Sequence, residues 1–457
     1  MELKFHCTMC NEEYAEPITI CRRCSGIIVY KPKLPTSFKV YENVKSLWRY
    51  EQFLPKLPVR ITLDEGYTPL VKSKTAAKMF GHVKVYLKDE TRNPTGSFRD
   101  RAASLIVSHA VSVNVSQLIC ASDGNHGASI AAYASRANME CYVIVPSNVD
   151  EGKLAQMIAY GAKVEEYGTL LDDALDRAIS IAFKKGYYQA SAELNTLSIE
   201  GLKTIAYEIY EFLGGVPDWI IIPTGSGLTF YSIYKGFTEL LELDLIDSIP
   251  CFAIVQSSGC SPIVTKLKGI KCTETKKKSI IKGLNVREPI FLNEILRLST
   301  KVRIEGVLVD YSEAVSTILT LARNEGLFVE PAASAAFVGY MKLVKEGIID
   351  RNDTVIILLT GSGLKSIDVF EGASRRKQLT ILKSLDTKAL ILKLLKVEGP
   401  LHGYAIWKKL KLKVTVQAIY QHLAELESKG FIKAIQEDNR KKYKLTEKGY
   451  KLLEMIE

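Results

Sequence analysis

Short apolar runs rich in β-branched residues alternate along most of this chain with segments whose apolar positions recur every three to four residues. The runs at 117–120, 141–145, 218–222 and 354–359 read as strands, and the segments at 128–136, 154–160 and 171–185 read as helices. Strands that are apolar on both faces, set between amphipathic helices, predict an α/β domain built on parallel sheets covered on both sides. In such sheets ligands bind in the loops at the carboxyl ends of the strands. Toward the C-terminus the pattern changes. A helix is expected at 390–395, a second opening at Leu401, and a third over 415–429 that ends at Gly430. Ile419, Leu423 and Leu426 follow at helical spacing and should face a small core. Two short strands at 431–436 and 443–445 come next, then a last helix with Thr446 as N-cap.

Charge sharpens this division. The chain of 457 residues carries 61 Lys and Arg against 51 Asp and Glu. From Gly372 onward the count is 19 against 9, so the rest is balanced at 42 against 42 and the whole excess sits in the last 86 residues. A basic face laid over a helix-and-wing pattern points to DNA. No apolar run reaches transmembrane length and the amino terminus lacks a signal-peptide core, so a cytoplasmic protein without membrane contact is expected.

Nine cysteines divide into two kinds. Cys7-x-x-Cys10 and Cys21-x-x-Cys24 form two knuckles ten residues apart, the arrangement that brings four thiolates around one zinc ion. Four thiolates leave no open coordination position, so the expected role is structural. His6 beside them is superfluous to a four-cysteine site. Cys120, Cys141, Cys251, Cys260 and Cys272 lack ligand spacing and read mostly as buried thiols.

Several motifs resemble those of threonine synthases, in the fold type II (tryptophan synthase β-like) family of pyridoxal-phosphate enzymes. They occur in family order: Asp64-Glu65-Gly66-Tyr67-Thr68-Pro69-Leu70, Asn93-Pro94-Thr95-Gly96-Ser97-Phe98-Arg99-Asp100-Arg101, Ser122-Asp123-Gly124-Asn125, Gly152-Lys153, Glu200-Gly201-Leu202-Lys203-Thr204, Pro223-Thr224-Gly225-Ser226-Gly227, Phe328-Val329-Glu330-Pro331-Ala332 and Thr360-Gly361-Ser362-Gly363. The resemblance runs from about Leu54 to about Ile367. It implies two lobes with parallel sheets, and a cofactor site formed by Arg99, Asn125, Gly225, Ser226, Gly227, Thr229 and Thr360, with Ser97, Ser122, Asp123 and Lys153 toward a substrate or other ligand. A small zinc ribbon precedes the catalytic domain in some proteins of this kind.

Arg99 is the decisive departure. It stands where the family has the lysine whose amine forms a Schiff base with the cofactor aldehyde. That step needs a neutral amine. Arginine, with a pKa above ~12, is neutral in fewer than about one molecule in 10⁵ at pH 7. Its guanidinium can instead grip a phosphate or carboxylate. No catalytic residue is therefore assigned, and pyridoxal phosphate, if held, is held without an aldimine at residue 99. Two further departures lie close by. Leu228 puts a Cβ where the family's phosphate loop has glycine. Asp123 replaces a serine or threonine and would repel a carboxylate unless protonated or paired, with Arg99 as the partner considered. Lys88 is the nearest other lysine in sequence, but the family has one there that does not form the aldimine.

The C-terminal segment resembles PadR-type winged-helix regulators. The resemblance places Thr415, Gln417, Ala418 and Gln421 toward a major groove, and Arg440, Lys441 and Lys442 at a wing tip that meets phosphates or the minor groove. The expected organisation is a zinc ribbon at 1–35, a threonine synthase-like domain at 36–371, a basic linker at 372–384 and a winged helix at 385–457. The expected function is a dimeric, DNA-binding transcription regulator whose catalytically impaired domain senses pyridoxal phosphate, an amino acid or a phosphorylated amino-acid intermediate. The alternatives are a threonine synthase-like lyase with an appended DNA-binding domain, and a DNA-binding scaffold whose central domain binds nothing.

Overall fold

A computed structural model describes residues 3–270, 281–367, 369, 375–410, 415–437 and 440–456. The chain divides into two compact units, Met1–Ile367 and Asp368–Glu457. Cys272 lies outside the described residues, as does the run Lys276-Lys277-Lys278, whose three consecutive charges read from sequence as an exposed loop.

In the larger unit, two sheets form two lobes. One has six strands in the order Ile304–Val309, Cys251–Ser257, Trp219–Pro223, Val355–Leu359, Val85–Asp89 and Leu70–Lys72, all parallel except the last. The other has four parallel strands: Lys163–Glu166, Glu140–Val145, Gln117–Ala121 and Tyr188–Gln189. The central strands are buried throughout; Trp219–Pro223 and Val355–Leu359 have no exposed residue. This is why their sequences read as continuous apolar runs. Helices Asn125–Arg136, Glu151–Ala159 and Leu171–Lys185 form where the periodicity placed them. Gly152 is required by contact: a Cβ there would meet the Lys365 carbonyl oxygen at 2.9 Å.

Residues 5–30 make a small antiparallel sheet in the order Glu13–Tyr14, Phe5–Cys7, Ile28–Tyr30. Its apolar side belongs to the same core as the larger domain.

The second unit contains helices Arg375–Glu398, Gly403–Leu410, Val416–Ser428 and Glu447–Ile456, with the hairpin Ile432–Glu437 and Arg440–Leu445. The linker expected at 372–384 is helical from Arg375 onward, continuous with the short helix expected at 390–395. No glycine or proline interrupts residues 375–398, and Gly399-Pro400 then stops the helix. Ile391, Leu392, Leu395, Ile406, Ile419, Leu423, Leu426 and Leu453 fill its core.

Candidate functional site

A cavity of about 50 Å³ opens at the carboxyl ends of strands from both sheets of the larger unit. Among the sequence-predicted residues, Arg99, Asp123, Asn125, Gly225, Ser226, Gly227, Thr229 and Thr360 line it together. Glu193 and Glu330 line it too. Glu330 lies inside a motif already visible in the sequence. Glu193 has no motif around it, and only the fold brings it here.

Arg99 occupies the cap position of helix Asp100–Ser112, with its backbone N–H on the Ser97 hydroxyl at 3.3 Å. Its Nη2 meets Glu193 Oε1 at 3.3 Å, and its guanidinium stacks on Phe98 at 4.9 Å. Nη1 is buried without a hydrogen-bond partner. The same Glu193 oxygen accepts from Ser226 Oγ at 3.2 Å, so one carboxylate ties Arg99 to the glycine loop. The pairing of Arg99 with Asp123 considered from sequence is thus corrected: the ion-pair partner is Glu193. Asp123 instead has its carboxyl pushed up by burial, with Lys153 and Arg99 opposing the shift.

Asn125 donates through Nδ2 to both oxygens of Glu330 at 2.9 Å, and its Oδ1 is buried and unpaired. Thr360 Oγ1 also reaches Glu330, at 3.4 Å. Ser97, Ser122 and Lys153 stand behind the cavity wall, not on it. The Ser122 hydroxyl accepts from the backbone of Gly124 and Gly127. Lys153 bridges Asp150 at 2.9 Å and Glu330 at 3.2 Å; burial opposes its charge, but the two carboxylates hold its pKa above the ordinary value. Leu228 obstructs nothing, because its side chain lies in the hydrophobic core.

No lysine lines this cavity among the described residues. Lys88 is fully committed, with Nζ on the Thr68 carbonyl and hydroxyl and on Glu208 at 2.6 Å. Lys365 is buried, donates to the Thr95 carbonyl at 2.8 Å, and is pulled down by burial to about 8.

The residues fit one part of pyridoxal phosphate and not another. The loop 225–229 leads into the N-terminus of helix Leu228–Glu242, where the helix dipole and the first amides suit a phosphate. The unpaired Oδ1 of Asn125 suits a hydroxyl donor. The imine does not fit, since residue 99 has no amine to form it.

The four sulfurs of Cys7, Cys10, Cys21 and Cys24 lie within 4.8 Å of one another, with Cys7–Cys24 at 3.4 Å and Cys10–Cys21 at 3.6 Å. Zinc–sulfur bonds of ~2.3 Å in a tetrahedron require separations of about 3.8 Å, so the cluster fits one ion. Gly26 is needed beside it, because a Cβ would sit 2.9 Å from the Cys7 sulfur.

In the second unit Thr415 is the N-cap of helix Val416–Ser428, accepting from the Ala418 amide at 3.2 Å. Gln417 and Gln421 are exposed on this helix, as is Tyr420, which sequence reasoning passed over. Arg440, Lys441 and Lys442 open the second wing strand, paired with Glu437, Gln436 and Ile435, and so stand at the end of the hairpin next to its turn. Lys441 stacks on Tyr443 and approaches Glu427 at 3.5 Å. His402 caps its helix by accepting from the Ala405 amide.

Residues 61–361 match the pyridoxal-phosphate-dependent enzymes, and the chain belongs to that family. Residues 391–455 match the PadR-like family of transcriptional regulators. More particularly, the chain is similar to threonine synthases. That of Methanocaldococcus jannaschii is 37% identical over 387 residues, covering 80% of this chain and 94% of its own. That of Halalkalibacterium halodurans is 36% identical over 329 residues, covering 70% and 90%. Among solved structures, O-ureido-L-serine synthase aligns with a TM-score of 0.57 at 20% identity, over 69% of this chain and 96% of its own. Cysteine synthase from Entamoeba histolytica aligns with a TM-score of 0.55 at 18% identity, over 70% and 93%. At these identities the structural likeness shows the fold alone: two-lobed, fold type II.

Proposed function

We propose that this chain is a DNA-binding transcription regulator whose threonine synthase-like domain binds a small anionic ligand and does not carry out Schiff-base chemistry. The observation that carries the reading is the cavity itself. An arginine paired with Glu193 stands at the aldimine position, and no lysine lines the space among the described residues. The ligands that fit are pyridoxal phosphate held without an imine, an amino acid, or a phosphorylated amino acid. In each, an anionic group meets Arg99 or the helix N-terminus at 225–229.

The PadR-like unit supplies the output. Gln417 and Gln421 face a major groove, with Thr415 at the helix start, and Arg440, Lys441 and Lys442 follow the backbone. A homodimer presents two such helices to paired half-sites. A ligand that binds two arrangements of the dimer unequally shifts the population competent for DNA. Zinc in the Cys7, Cys10, Cys21, Cys24 site is structural.

Absorbance spectroscopy with added pyridoxal phosphate tests the reading. The natural chain should bind without an imine band, and Arg99→Lys should acquire one. An imine band in the natural chain that vanishes on Lys365→Ala would restore the lyase reading, since that buried amine is the one most readily deprotonated near the site.

A further inference from the structure

The four-cysteine module and the ligand cavity share one short stretch of chain. Strand Ile28–Tyr30 of the module packs against helix Leu197–Leu202. Phe5, Cys7, Cys21 and Ile28 lie in one core with Leu197 and Ile199. Just before that helix, the Thr196 amide donates to the Pro17 carbonyl at 2.9 Å, and the Thr196 hydroxyl donates to the Ile28 carbonyl at 2.5 Å. Asn195 pairs with Ile18 in an isolated bridge. Pro17 and Ile18 belong to the loop between the two knuckles, and Ile28 follows the second knuckle. The geometry of all three partners therefore depends on how the cysteines are held.

On its other side the stretch is tied to the sheet. The amides of Leu194 and Asn195 donate to the Ser191 carbonyl, and the Ser191 hydroxyl accepts from the Ala121 amide. Inside this knot sits Glu193, three residues before Thr196, whose carboxylate meets Arg99 and Ser226. Its segment, between strand Tyr188–Gln189 and helix Leu197–Leu202, has no regular structure of its own. Its C-terminal end is held by Asn195, which donates to the Tyr188 hydroxyl and the Gln189 carbonyl, and by the Thr196 hydrogen bonds to the module; a site loosened by a fraction of an ångström binds differently.

We infer that Thr196 is a positioning residue through which the metal-holding four-cysteine module sets Glu193 against Arg99, so that metal occupancy controls how tightly the cavity holds an anion. The inference rests on the reading that the cavity binds an anionic ligand. A tetrathiolate site fixes both knuckles; without the ion, the carbonyls of Pro17 and Ile28 lose their fixed positions and Thr196 loses its anchors. Glu193 then moves off the guanidinium, which is freed for an external anion. The coupling sign is definite: loss of metal tightens anion binding while loosening the segment 189–197.

Hydrogen exchange on the full chain, zinc-loaded against chelator-stripped, tests the coupling without any ligand. Stripping should speed exchange in 189–197 as well as in 3–30; a change confined to 3–30 overturns the inference. Titration with inorganic phosphate and pyridoxal phosphate provides the second arm. Thr196→Val should tighten binding about three- to tenfold, with no further gain when combined with Glu193→Gln. Independent, additive effects, or a lowered melting point with unchanged affinity, would overturn it. If exchange couples as expected but neither probe binds the chain, zinc-loaded or stripped, the ligand reading fails and the mechanical coupling stands.

Discussion

Replacing Glu193 by glutamine should separate two quantities that ordinarily fall together, fold stability and ligand affinity. Glutamine keeps an oxygen to accept from Arg99 and Ser226, which lie 3.3 and 3.2 Å from Glu193 Oε1, but removes the negative charge. Breaking a fully buried ion pair costs about 3–5 kcal/mol. Here the Arg99 side chain is 15% exposed on a cavity and the hydrogen bonds survive, so a loss of about 1–2 kcal/mol is expected. An anion on the unpaired Nη1 would stand roughly 6 Å from the Glu193 carboxylate, and at an effective dielectric constant of about 20 that repulsion is roughly 3 kcal/mol per unit charge. Water in the cavity lowers it. Relief of about 1–3 kcal/mol means phosphate binding tighter by roughly 5- to 150-fold. Calorimetric titration of the full chain with inorganic phosphate, beside a melting curve, reads both quantities. Affinity that falls together with stability would refute the idea that Glu193 competes with the ligand for Arg99. Arg99→Ala provides the opposite control and should abolish phosphate binding in either background.

The remaining predictions concern pH, DNA and the second core. Burial pulls His109 down to about 4 and His126 to about 3, so both fold neutral while the unfolded chain protonates near pH 6.5. Their contribution is complete above pH 6.5 and is lost as pH falls through that value, by about 2 kcal/mol each at pH 5. The raised carboxyls of Glu65, Asp100 and Asp123 act in the opposite sense and are common to both chains, so His126→Asn should lose less stability than the natural chain between pH 7 and 5; an unchanged difference between those two melting curves refutes the assignment. Arg440→Ala should weaken DNA binding and reduce the slope of log affinity against log salt by about one, and an unchanged slope would remove the wing contact. Leu423→Ala, at a fully buried position, should cost about 2–5 kcal/mol and abolish DNA binding while leaving phosphate titration intact; loss of both would show that the two units do not fold independently.

What the sequence made legible were features of short range and strong periodicity. The apolar runs marked the central strands because burial on both faces leaves no polar position to alternate. The Cys-x-x-Cys pairs announced their cluster because one turn brings each pair of sulfurs together. Thr415 and Thr446 were readable as helix starts, although Thr415 is spent on its own cap and not wholly offered to a groove. Long-range partners were not readable. Glu193 lies 94 residues from Arg99, on a stretch whose position depends on a sheet edge and on the four-cysteine module together. The second wing strand was read too short for a different reason: the run Arg440-Lys441-Lys442 has no apolar rhythm, so the strand's start at Arg440 shows only in its pairing with 432–437.

The substitution at residue 99 also explains why the surrounding pocket stays intact. An arginine in a lysine's place brings a permanent charge and five donors that must be satisfied. Glu193 satisfies one, Phe98 supports the flat face, and Nη1 remains unpaired, as does the Asn125 oxygen in the same site. A buried donor left unpaired costs about 1–3 kcal/mol. A cavity that had merely lost its use would be expected to fill with apolar side chains and shed that cost. Instead Arg99, the helix N-terminus at 225–229 and the acids Glu193 and Glu330 line the same space. A ligand bearing an anionic group would pair Nη1 and recover the lost stability as binding energy. The cost of an unpaired donor is thus the same quantity that makes binding favourable, and it should appear as a rise in melting temperature with added phosphate that Arg99→Ala does not show.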